Sequence, residues 1–144
     1  MTAGIRTIGV ANGGGDCPGL NAVIRGVVKA AISIYGWRVI GVTNGFEGLI
    51  WPERCRELTL DAVNGIMQRG GSPSPFDCIL ATSFGVRSAD LVARGEFGRM
   101  VCLREGRIQP VTLEEAVGRY NTVDAEGHHV RAPRAVGITF GDQV

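Results

Sequence analysis

The chain has 144 residues, 44% of them hydrophobic and 20% charged, with a net charge of +1. That length suits one domain, and that balance excludes a disordered segment. A charge so near zero leaves no electrostatic footprint for nucleic acid or an anionic membrane, so neither is expected as a partner.

In chain order, "IRTIGVA" (5–11) is short, apolar and β-branched, and predicts a strand ending in the turn cluster "NGGGDCPG". Leu20, Val23, Ile24, Val27, Val28, Ala31 and Ile32 then recur with helical spacing and are the expected buried face of a helix. "WRVIGVT" (37–43) predicts a second strand, so the start reads as a βαβ unit with parallel strands. "NGFEGLI" (44–50) reads as a turn, and "TLDAVNGIM" as a helix opening near Thr59 with Thr59 and Asp61 available as caps. Phe76, Ile79, Leu80, Phe84, Leu91 and Val92 predict a helix to about Ala93, weakened by Gly85. "RMVCLREGRIQPV" predicts a hairpin turning at "REGR", and Thr112 with Glu115 opens a further helix as a capping box. Beyond Asn121 the periodicity fades into an expected tail.

The glycine loop between the first strand and helix lies where open α/β sheets bind ligands, beyond a strand's carboxyl end and at a helix N-terminus. Asp16 could cap the helix and Pro18 suits its first turn. The loop is neither a Walker A motif nor a dinucleotide fingerprint, since Pro18 stands where the third glycine should be. On spacing alone it reads either as a phosphate cradle or as a plain tight turn. Near-exclusive use of arginine over lysine, with Lys29 alone, reads as phosphate recognition or as GC-rich codon usage.

Other candidate residues point to structure. Cys17, Cys55, Cys78 and Cys102 are scattered without a C-x-x-C pair, which predicts reduced thiols in a cytoplasmic protein and no zinc site. No uncharged apolar run approaches the ~20 residues of a membrane span, and the N-terminus lacks a signal-peptide pattern. Asp61, Glu114 and Glu115 read as dipole-favoured surface charges, and the adjacent His128 and His129 as solvated. No residue is expected to be a metal ligand.

"IGVANGGGDCPGLNAVIRGVV" closely resembles the N-terminal signature of the phosphofructokinase family, "GGD-x-PG-[LM]-NA-x-IR", and "VIGVTNGFEGLI" resembles its second strand and turn. The resemblance implies that Gly14, Gly15 and Asp16 form the cofactor loop, with Gly15 touching the phosphates of ATP or pyrophosphate. Arg25 matches an arginine that contacts a nucleotide effector in allosteric members. "QRGGSPSPFDCILATSFGVRSADLVARGEFGRMVCLREGRIQPVTLEEAV" resembles the family's far C-terminal portion, "H-[IV]-QRGG-x-P-x-[FY]-DR-x-LA-x-R-x-G". There Gln68 and Arg69 match contacts to fructose 6-phosphate, although Arg69 also reads as a plain helix cap. Ile66 replaces the histidine, Cys78 the arginine after Asp77, and Ser83 a further arginine.

Between the matches the family's GGDGS, TIDND and MGRHAG segments are absent, and with them the aspartate base and the metal site. The expected fold is therefore a truncated Rossmann-like parallel sheet with a βαβ start, followed by a C-terminal helix, β-hairpin and helix. Its expected parts are a phosphate-binding segment (1–67), a late segment (68–123) and a flexible tail (124–144). The resemblance implies a glycolytic 6-phosphofructokinase using ATP or pyrophosphate with Mg²⁺. Without base or metal site, no residue is expected to be catalytic and little phosphotransfer is expected. The alternatives are a phosphate-binding module and a non-functional deletion product. Open sheet edges suggest a homo-oligomer or association with a full-length relative.

Overall fold

The computed structural model describes residues 4–15, 17–66, 73–118 and 122–141. β1 (Thr7–Ala11), α1 (Leu20–Ser33) and β2 (Arg38–Val42) form the expected βαβ unit. The strands are parallel, with Ile8 beside Val39 and Val10 beside Gly41. A mixed α/β fold with a small sheet containing a parallel pair follows, as the sequence predicts.

The sheet gains a strand the sequence did not announce. β3 (Cys55–Leu58) runs antiparallel to β2 in the order β1-β2-β3. Four residues, two of them charged, leave no alternation long enough to read; the strand exists because β2 offers it a ladder. Arg38 on β2 holds Glu57 on β3 through a charge-assisted contact of 3.1 Å, a diagonal cross-strand pair.

The helix expected from Thr59 shrinks to one 3-10 turn, Asp61–Val63. Thr59 still accepts a hydrogen bond from the Ala62 amide at 3.2 Å. An extended Asn64 and a left-handed Gly65 (φ 83°) end it at once. Its Val63, 1% exposed, joins Val28, Ala31, Trp37, Val39, Leu58 and Ala93 in the core. The segment "GFEGL" likewise forms a 3-10 turn, Gly45–Leu49.

α2 (Pro75–Ala93) starts on a capping box absent from the sequence reading. The Ser74 hydroxyl accepts from the Asp77 amide at 3.2 Å, and the Asp77 carboxylate accepts from the Ser74 amide at 2.8 Å. Pro75 sits in the first turn, where a missing N–H costs nothing. Ser74→Ala should cost about 1 kcal/mol of stability in denaturant melts. The Ser74 side-chain and backbone hydrogen bonds hold the Asp77 carboxyl below its ordinary value. Its contribution is present above the unfolded pKa and lost as pH falls through the lowered one. Ser74→Ala should move the Asp77 titration back up, as carboxyl NMR would read.

The small residues of α1 and α2 decide how the two helices meet. Ala22, Gly26 and Ala30 on α1 and Ala81, Gly85, Ala89 and Ala93 on α2 are buried. A Cβ built on Gly26 would lie 2.6 Å from the Thr82 carbonyl oxygen and 3.3 Å from the Gly85 Cα, so backbone meets backbone. This corrects the expected buried face of α1. Val28 and Ala31 are buried as predicted, but Leu20, Val23, Ile24, Val27 and Ile32 are only half-buried. Gly85, expected to weaken α2, is a point of closest approach within an unbroken helix.

A polar clasp joins the same elements. The Tyr35 hydroxyl donates to Asp90 at 2.7 Å, and its ring stacks on Trp37 with centroids 4.7 Å apart. That hydrogen bond, with burial and the Asp90 charge, raises the Tyr35 pKa above 10.0. Its stabilisation is complete below the unfolded tyrosine pKa and disappears as pH rises through the raised one. Tyr35→Phe should therefore melt lower at neutral pH and lose less stability between neutral and strongly alkaline pH than the parent chain.

β4 (Arg99–Arg104) and β5 (Arg107–Thr112) form the predicted hairpin. Its two-residue turn places Glu105 (φ 53°) and Gly106 (φ 74°) in left-handed conformations, which match the twist of tight hairpins. All these elements belong to one compact unit, Met1–Leu113. α3 (Leu113–Val117) spans five residues. The second unit, Glu114–Val144, contains α4 (His128–Ala135), an eight-residue helix in the expected tail. There the His128 and His129 rings lie 3.8 Å apart, and Arg134 sits 5.9 Å from the Phe140 ring.

Candidate functional site

The chain leaves β1 through a hydrogen-bonded asparagine turn. Asn12 Oδ1 accepts from the Gly14 amide at 3.2 Å, a local side-chain turn that competes with continued strand. Gly14 (φ 109°) and Gly15 (φ 81°) then take conformations that disfavour any side chain. The Phe46 ring closes on Gly13, 3.5 Å from where a Cβ would stand.

The helix start differs from expectation. The N-cap of α1 is Gly19, left-handed at φ 90°, and among the described residues no side chain caps the helix. Asp16, the expected cap, lies outside the described residues. Pro18 falls in the turn before the helix, closed by the Leu20 amide on the Cys17 carbonyl at 3.2 Å. Among the described residues no side-chain acceptor meets the positive end of the helix dipole.

Beyond the carboxyl ends of β1 and β2 lies a cleft of about 540 Å³. Val10 and Gly41 form its floor; Leu20, Asn21 and Ile24 of α1 form one wall, and Leu58, Ala62, Val63 and Ile66 the other. Asn12, Gly15, Thr43 and Arg56 complete the lining. This is the ligand position of open α/β sheets, and it offers glycine backbone, amide and hydroxyl groups, and one guanidinium. A second cleft of about 370 Å³, between β1 and the two long helices, is apolar apart from Asn12 and Ser88 and offers little chemistry.

The candidate residues distribute unevenly. Gly15 lines the polar cleft, while Gly14 is spent in the asparagine turn. Arg25 is half-buried on α1 and does not line it. Gln68 and Arg69 lie outside the described residues; Ile66, just before them, lines the cleft and packs on the core. Sequence reading missed Arg56, because the strand carrying it was not recognised. The four cysteines are free thiols, and no described helix is long and apolar enough to cross a membrane.

Comparison with known proteins adds a lineage. Residues 7–67 match the family model described as Phosphofructokinase. An ATP-dependent 6-phosphofructokinase of Spirochaeta thermophila is 45% identical over 103 residues, 71% of this chain and 28% of that protein. The ATP-dependent 6-phosphofructokinase 2 of Clostridium perfringens is 50% identical over 109 residues, 73% of this chain and 29% of its own. A solved Pichia pastoris phosphofructokinase in the T-state aligns at 30% identity and TM-score 0.42, covering 57% of this chain and 10% of that one. The chain thus spans under a third of the curated relatives it matches.

Proposed function

The chain belongs to the phosphofructokinase family over the part of that family's length it spans, and from this premise we propose that it binds a phosphoryl-bearing ligand without transferring the phosphoryl group. The ligand is the polyphosphate of ATP or pyrophosphate, and its seat is the glycine loop, with Gly14, Gly15 and Asp16 as the cofactor segment. One observation carries this reading: Gly15 lines a cleft at the carboxyl end of the parallel strands, beside a helix start that no described side chain caps. Backbone amides and the helix dipole favour an anion there.

Fructose 6-phosphate is the acceptor implied by the relatives' names, with Gln68 and Arg69 as its proposed contacts and Arg25 as a proposed effector contact. Phosphoryl transfer to that acceptor needs a carboxylate base and held metal ions. No described residue lining the cleft is a carboxylate, and among the described residues no group of three or more His, Cys, Asp or Glu could hold a metal. The described donors by themselves therefore do not fit Mg²⁺, which normally takes one or two carboxylates beside the phosphates. A cytoplasmic protein follows from the same family reading. Strands β1 and β3 form the two edges of the sheet, which supports self-association or docking to a full-length relative.

Two measurements test the reading. Calorimetry with ATP and with pyrophosphate should give saturable heat that Gly15→Val removes; no heat from the folded parent chain would refute it. A coupled assay of fructose 1,6-bisphosphate formation should stay at background. Turnover that Gly15→Val abolishes would instead establish an active enzyme.

A further inference from the structure

We propose that Arg56 is the cationic binding residue of this cleft and clasps the polyphosphate end of the ligand opposite the glycine loop. The proposal rests on the reading of the cleft given above and adds the charge that the loop itself does not supply. Arg56 is the one charged side chain among the described residues lining the cleft. Its placement follows from strand geometry: side chains alternate between faces, so Arg56 shares a face with Leu58, and Cys55 with Glu57. Leu58 is buried in the core beside α1, which puts Arg56 on the cleft side of the sheet.

Register sets the neighbours. Arg56 stands opposite Gly41 on β2; the Leu58 side chain takes the space over that glycine, 2.9 Å from where a Cβ would stand, while Arg56 itself lines the cleft. The charge is also available. Glu57, the acidic neighbour on β3, faces the other way and is held by Arg38 at 3.1 Å. Among the described residues no carboxylate forms a salt bridge with Arg56. A guanidinium fork matches phosphate oxygens in pairs, and β3 is fixed to the sheet, so the fork starts from a rigid element. An anion in this cleft would meet amides and a helix dipole on one side and Arg56 on the other.

Arg56→Ala should weaken both pyrophosphate and ATP binding on the order of 10- to 100-fold, the loss expected of a charge-assisted contact. Arg56→Lys should recover part of the affinity, and the salt dependence of binding should flatten in Arg56→Ala. Arg38→Ala, which removes an equal charge from the opposite face, should bind like the parent chain. Thermal melts of each variant separate lost binding from lost folding, and Arg56→Gln keeps the test open if alanine unfolds the strand. Parent-like affinity in a folded Arg56→Ala or Arg56→Gln chain would overturn the proposal while leaving the cleft reading intact. An effect on ATP with none on pyrophosphate would overturn it too, by placing Arg56 at the nucleoside. No binding by the folded parent chain would remove both.

Discussion

Gly85→Val is expected to abolish the cooperative melt of the chain, and Gly85→Ala to cost upwards of about 1–3 kcal/mol, the range for forcing atoms into a packed core. A Cβ at Gly85 would overlap the Val23 carbonyl oxygen and lie 2.8 Å from the Val27 amide nitrogen and 3.1 Å from the Gly26 carbonyl carbon. These are backbone atoms of a helix, so no rotamer change relieves the clash; the two helices must separate. Separation would loosen the contact of Gly26 with Thr82 and Gly85, and would strain the Tyr35–Asp90 hydrogen bond.

Gly26→Ala meets the same crossing from the other side. The double variant Gly26→Ala/Gly85→Ala should therefore cost less than the sum of the singles, because one displacement accommodates both methyl groups. Gly9→Ala is the control, since a Cβ there meets nothing within 4 Å and the backbone is ordinary strand. Denaturant melts read all five variants. A Gly85→Ala chain as stable as Gly9→Ala would mean that the helices do not cross this closely.

The second large effect is local and reaches the candidate site. In Gly48→Val a Cβ would collide with the Thr43 carbonyl oxygen and lie 2.8 Å from Val42 Cγ1. The 3-10 turn Gly45–Leu49 must then lift from the end of β2. That turn holds Phe46 against Gly13, and the same displacement moves Thr43, which lines the polar cleft. The expected result is a loss of about 1–3 kcal/mol of stability and pyrophosphate binding weakened by roughly tenfold or more, since small misplacements at a site cost that much. Calorimetry beside a thermal melt separates the two. Unchanged binding in a folded Gly48→Val chain would detach the turn from the site.

What was legible in the sequence follows from period and punctuation. The β1–α1–β2 start could be read because a β-branched run, a glycine cluster and a long helical repeat each carry a local cause. The hairpin was legible for the same reason, with Gly106 able to take the left-handed turn. The Ser74–Asp77 box is equally local, but it sits between prolines that read as a loop, so the apolar repeat from Phe76 is the more legible helix signal. Of the site, Gly15 could be found from its loop. Arg56 could not, because nothing in "CREL" says which face it takes until β2 fixes the register.

By itself, then, the sequence determined the parallel βαβ unit, the glycine loop at the strand end, the second long helix, the hairpin and the family lineage, because each depends on neighbours in the chain. Tertiary structure decided the rest. It buried Ala22, Gly26 and Ala30 of α1 and left the larger Val23 and Val27 half-buried, because Gly26 and Gly85 permit a backbone approach that no single helix reveals. It cut the helix after Thr59 to one turn, moved the start of α1 to Gly19, and created β3 on an edge β2 left open. With β3 it set Arg56 in the cleft that Gly15 also lines, a pairing of residues 41 positions apart in sequence that only strand register could make.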